Sequence, residues 1–277
     1  MKNFDMTRFG RVLKLDFAEG LKTMMWGALC MLLLYLFFFW FAHNIGFHRS
    51  QFYYAESETD LQYARMKAIA ESVGVFSLMA MYIFFLLAAS TLYRGEQKKQ
   101  QRIAWLMLPA SNLEKFLSRW LYLVAWSVVG GILSFLVADA IHCAWLWMSG
   151  QPVIAAAGYF FEYWPHPAED LYHDSWSHVI TVYSLLTAIH AFFLLGGVLF
   201  KRFHFIATGA VVVLLFALWA TLYNSLMLYK STPTTGDYNA DSIVMAVFFF
   251  SVAALLTWLS YWLFCRWQVV THKFANL

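Results

Sequence analysis

"LMLPASNLEKFLSRW", Leu106 to Trp120, is the stretch on which the fold turns. It lies between two long apolar runs, Ser72–Tyr93 and Trp120–Ala140, yet carries a proline and three charges in fifteen residues. Pro109 disfavours the helical conformation at Leu108, so a helix arriving from the N-terminal side ends there. Ser111 followed by Glu114 has the form of a capping box. In that motif the hydroxyl accepts from a backbone N–H of the new first turn, and the carboxylate reaches back to the Ser111 N–H. The spacing predicts a helix that begins near Asn112 and runs through Lys115 and Arg119 into the next apolar run. A well-capped helix start and nothing more is the plain alternative, since such patterns also arise by chance.

The residues around this turn set the solvent. The chain has 277 residues, 61% hydrophobic and only 13% charged, where a soluble domain carries about 25% charged residues. That excess of apolar surface needs lipid to cover it. A spanning helix takes about 20 apolar residues, and six stretches qualify: Thr23–Ala42, Ser72–Tyr93, Trp120–Ala140, Val179–Phe200, Phe205–Leu228 and Ile243–Cys265. The third can continue as helix to Met148. None alternates as a membrane β-strand does. The expected fold is all-α: a polytopic membrane protein of six transmembrane helices, forming one domain over 1–277. Its non-spanning segments include 1–22, 94–119 and 149–178.

Direction follows from the basic residues. Fifteen of nineteen fall before the first span, between the second and third, between the fourth and fifth, or after the sixth. Lys and Arg collect on the cytoplasmic side, so both termini are expected there. Cys30, Cys143 and Cys265 have no CxxC or metal spacing and read as buried, inert thiols. No cleavable signal peptide is expected, because the run that begins near Thr23 is long enough to span.

Before that run, Phe9, Leu13, Phe17 and Leu21 recur every four residues, while Arg8, Arg11 and Lys14 recur every three on the other side. A basic amphipathic helix of this kind lies in the membrane interface, its apolar side chains at the acyl boundary and its cations near anionic lipid headgroups. It serves either as an anchor continuing into the first span or as an elbow helix that also touches a cytoplasmic partner.

With these residues in view, the chain resembles the membrane-domain (permease) subunits of type-2 exporter-class ATP-binding-cassette transporters, in a short Bacteroidetes-like form. The carriers are "RFGRVLKLDF" (Arg8–Phe17), "LMLPASNLEKFLSRWL" (Leu106–Leu121) and "FKRFHFIATGA" (Phe200–Ala210). The resemblance implies a pathway between two such chains and a short coupling helix that docks on a separate ATPase subunit. Carried over, Arg94–Ser111 is the coupling element, with Arg94, Lys98, Lys99, Arg102, Pro109 and Ser111 in it and Glu114, Lys115 and Arg119 beside it. The implied partners are an ATPase chain, a second permease chain and membrane lipids, and the implied place is the bacterial inner membrane. The family's extracellular re-entrant helices between spans five and six have no room here, where the connection is only "YKSTPTTGDYNAD".

Other chemistry is thinly represented. There is no phosphate-binding GxxxxGK[ST] loop, no HExxH and no GxSxG. Neither an enzyme active site nor a cofactor is expected, nor is nucleic acid a partner. Charges in lipid are costly and often functional, and the intramembrane polar groups are Asp139, His142 and His190. Asp139 and His142, three apart on one helical face, are expected to bond each other. His190 is expected to be a packed, hydrogen-bonded histidine. In the third connection, His166, His173 and His178 with Glu169, Asp170 and Asp174 offer metal-ligand types without a zinc spacing. The surrounding aromatics favour an interfacial helix instead. Two alternatives to transport stand beside it: a membrane regulator or scaffold with the same fold, and a membrane-embedded metal-dependent enzyme using the outer His and acidic residues.

Overall fold

The computed structural model describes residues 4–45, 58–92, 103, 105, 107–163, 176–200, 203–229 and 238–266. Among them are seven helices and no β-sheet: α1 (Met6–Ile45), α2 (Glu58–Ser90), α3 (Asn112–Met148), α4 (Ala156–Tyr163), α5 (Trp176–Leu199), α6 (His204–Tyr229) and α7 (Tyr238–Cys265). Among the described residues, five stretches are long and apolar enough to cross a membrane: Met6–Asn44, Asp60–Ser90, Asn112–Met148, Val179–Leu199 and Ser242–Cys265. In α6 the apolar stretch found is the shorter His204–Leu218. Large side chains such as Met25, Trp26, Leu33 and Trp40 on α1, or Val213, Leu214 and Phe216 on α6, stand exposed. Water does not tolerate apolar bands of this extent. The protein is a multi-pass membrane protein.

The first helix is longer than a span. The basic amphipathic stretch continues into the first span: from Met6 onward it opens α1, which at 40 residues is about 60 Å long. A bilayer with its headgroups is about 40–45 Å thick, so α1 extends beyond the hydrocarbon. The charged residues from Glu58 onward open α2, which continues without a break to Ser90.

The chain divides into two compact units. One comprises Met1–Phe17, Phe85–Val124 and Ala168–Leu277, and the other Ala18–Phe84 and Ala125–Pro167. In the first, α5 packs along α7 and over a shorter length on α6. Ala188, Ala191 and Ala253 are buried at the α5–α7 seam, where small side chains let helices in lipid approach closely. Gly197 shows the same economy. A Cβ there would sit 2.7 Å from the Ser90 carbonyl oxygen, so only glycine admits the end of α2 at this distance.

In the second unit, Tyr35, Phe135 and Phe160 are fully buried. Tyr35 meets Phe135 edge-on at 5.4 Å, and Phe135 stacks on Phe160 at 4.3 Å, arrangements that aromatic quadrupoles favour. Phe160 and Ala156 belong to α4, so this part of the third connection sends two side chains into the core while Phe161 stands exposed. Gly150, at φ +67°, ends α3. The left-handed conformation lets Gln151 N–H donate to the Leu146 carbonyl, 3.1 Å, one of the orphan groups of a helix C-terminus.

Candidate functional site

The start of α3 is built as the capping-box reading requires. Glu114 N–H donates to Ser111 Oγ (3.2 Å), and Ser111 N–H donates to Glu114 Oε2 (2.9 Å). Glu114 does more than cap. Its Oε1 also accepts from the Asp5 backbone N–H (2.8 Å) and the Arg8 guanidinium (3.1 Å). The side chain is completely buried, and each contact named here is a donor, which is what a buried carboxylate requires. Asp5 in turn accepts from Thr7 N–H (2.8 Å), capping α1. That bond, together with Arg8, holds the Asp5 carboxyl below its ordinary value.

Two turns beyond Arg8 on α1, a second carboxylate makes the same connection. Asp16 is buried on α1, accepts from the Ser118 hydroxyl and pairs with Arg119 Nε at 3.0 Å. Arg119 also donates to the Leu92 carbonyl (3.4 Å). The Trp105 ring lies 5.3 Å from the Arg119 guanidinium and 5.5 Å from Lys115 Nζ, within cation–π reach. Phe17 meets Tyr122 edge-on at 5.1 Å. Through residues 5, 8, 16 and 17 on one side and 114, 118, 119 and 122 on the other, the beginnings of α1 and α3 are bolted together. Lys115 is buried beside this seam.

The expected residues divide accordingly. Arg8 enters the network, whereas Arg11 and Lys14 stand exposed. Phe9 and Leu13 are half-buried and Phe17 is exposed, leaving part of the apolar stripe for lipid. Pro109 is exposed, ahead of Ser111. Ile103 and Trp105 are helical, and Met107 N–H reaches the Ile103 carbonyl at 3.0 Å. Arg94, Lys98, Lys99 and Arg102 lie outside the described residues. Sequence reasoning missed Asp5 and Asp16. Asp5 was findable, since Asp directly before a periodic run is a strong N-cap signal. Asp16 had no such signal: its partners lie about a hundred positions away.

The intramembrane groups correct two expectations. Asp139 does not bond His142. Its two oxygens accept instead from Ala156 N–H (2.9 Å) and Ala157 N–H (3.0 Å), capping α4, because the N–H groups opening a helix outcompete a neighbouring imidazole for an anion. His142 Nε2 lies 3.0 Å from His43 Nε2, and its ring stacks on Phe39 at 4.1 Å. His190 is packed as expected, stacked on Phe85 at 4.0 Å, but neither of its nitrogens has a hydrogen-bond partner among the described residues. His166 and His173 lie outside those residues, and His178 falls in the first turn of α5. Elsewhere, Trp26, Leu29, Leu32, Trp126, Leu133 and Val137 line an open apolar groove of about 690 Å³, together with Lys22. No family model, curated protein or solved structure matches the chain.

Proposed function

We propose that the chain is the permease subunit of an ATP-binding-cassette transporter of the bacterial inner membrane. In this reading it spans the membrane six times with both termini in the cytoplasm, pairs with itself or a similar chain, and moves a hydrophobic or amphipathic substrate with energy from a separate ATPase chain. The observation that carries the reading is the bolt between α1 and α3 beside the turn at 103–111. A force applied to a loose turn is dissipated in the turn. Here the turn enters a helix of 37 residues, about 55 Å long, whose first residues are fixed to α1 by Glu114 and Asp16. A push at Ile103 or Met107, both exposed and apolar, would therefore move two long helices together. The open apolar groove, with a lysine among its lining residues, is a surface on which an amphipathic chain can rest, and its volume falls within the range of about 300–1,000 Å³ usual for ligand sites.

The test is purification from the native membrane and reconstitution with the ATPase subunit that the reading requires. The pair should copurify, and charge reversal at Lys98, Lys99 and Arg102 should reduce copurification at least about tenfold, equivalent to the loss of 1.4 kcal/mol of docking energy. Single cysteines at Ser57, Ala168 and Thr234 should be labelled from outside, and those at Gln100 and Asn276 only from inside. A properly inserted chain that engages no ATPase would instead be a membrane scaffold, and a swapped label would break the six-span topology.

A further inference from the structure

Near the C-terminal end of α3, Asp139, His142 and Cys143 occupy one face at spacings of three and four. One ligand atom from each lies within 4.8 Å of the other two. We infer that these three side chains bind a transition-metal ion of the zinc type, with His43 orienting the imidazole. The inference concerns the opposite end of α3 from the coupling turn and is independent of the transport reading.

Four observations support it. The donor set of carboxylate oxygen, imidazole nitrogen and thiol sulfur is one that zinc accepts and that calcium or magnesium does not favour. Cys143 Sγ is 3.9 Å from Asp139 Oδ1. Tetrahedral bonds of about 2.0 Å to oxygen and 2.3 Å to sulfur put those atoms about 3.5 Å apart, a closure within the reach of side-chain rotation. Next, His142 is 94% buried by its 6% exposure, and its Nδ1 has no hydrogen-bond partner among the described residues. An orphaned buried ring nitrogen is costly unless something binds it. Finally, the supporting contacts are of the kind metal ligands need. Asp139 is fixed by two backbone N–H groups, and His142 Nε2 faces His43 Nε2 at 3.0 Å. When His142 donates that proton to His43, Nδ1 carries the lone pair that a metal requires.

Binding would convert the Cys143 thiol to thiolate, its proton passing to solvent. Three protein ligands leave a fourth position open to water or an exogenous ligand, the arrangement of a reactive rather than a closed zinc site. Cys143 is half-buried, so the ion has a route in.

The test uses the full chain in detergent micelles, stripped with chelator and dialysed against Zn²⁺ or Co²⁺. One metal per chain is expected, and the cobalt form should show visible d–d bands together with a near-ultraviolet thiolate-to-metal charge-transfer band. Cys143→Ser, nearly isosteric, should abolish the charge-transfer band, and His142→Gln should abolish stoichiometric binding. His43→Gln should weaken affinity about 10–100-fold, as loss of an orienting partner does, while keeping the band. The triple variant His166→Gln/His173→Gln/His178→Gln should bind as wild type. Absence of stoichiometric metal, a cobalt form without the thiolate band, or metal lost only in the triple variant would each overturn the inference.

Discussion

Arg119→Met should lower the stability of the purified protein by about 3–5 kcal/mol, the cost of removing one partner from a buried ion pair. The pair is well suited to test this. Asp16 has 2% of its side chain exposed and Arg119 13%, with Nε to Oδ1 at 3.0 Å. Removing the guanidinium strands a carboxylate whose other neighbour, Ser118 Oγ, cannot neutralise it. It also removes a donor to the Leu92 carbonyl and a cation from the Trp105 ring. The double variant Asp16→Leu/Arg119→Met should recover most of the loss, because two apolar groups filling the same volume are tolerated where one unpaired charge is not. Denaturant titration of wild type, both single variants and the double variant yields the coupling energy directly. An Arg119→Met variant within about 0.5 kcal/mol of wild type, the range of ordinary surface changes, would mean that the pair is solvated and that the Asp16 half of the bolt does not exist.

That contrast separates what local physics reveals from what it hides. The start of α3 at Asn112 was legible because proline geometry and a capping box act over three or four residues. Its continuation to Met148 was legible because the apolar run persists past the lipid. The long helices follow from composition. By contrast, Asp16 carries no local signal, since Ser118 and Arg119 are about a hundred positions away. Asp139 shows the same limit in reverse. Its spacing to His142 was visible, and the helix geometry it implies is present, but the stronger donors come from Ala156 and Ala157, which only the turn at Gly150 brings back. Spacing places side chains on a face; which of several donors a carboxylate takes is decided by partners that the fold supplies.

Glu114 carries the second large expected effect. As a cap alone, its loss would cost about 1 kcal/mol, the figure expected for Ser111→Ala. Its carboxylate, however, also accepts from the Asp5 N–H and from Arg8 while wholly excluded from solvent. A hydrogen bond to a charged group contributes about 1.5–3 kcal/mol, so Glu114→Ala should cost about 3 kcal/mol, clearly more than Ser111→Ala. Glu114→Gln distinguishes charge from shape. Both carboxylate oxygens are acceptors here, Oε1 for Asp5 and Arg8 and Oε2 for Ser111. An amide supplies one acceptor and turns an NH₂ toward donors at the other, so Gln should fall between wild type and Ala. Thermal unfolding of the three variants in detergent ranks them. Equal losses for Ser111→Ala and Glu114→Ala would reduce Glu114 to a helix cap and remove one of the two bonds by which α1 and α3 would transmit a push. If the ranking holds and the ATPase pair is in hand, Glu114→Gln is the more informative variant: it keeps α3 capped on one side, so reduced coupling with retained copurification would locate the transmission at the bolt rather than at the docking surface.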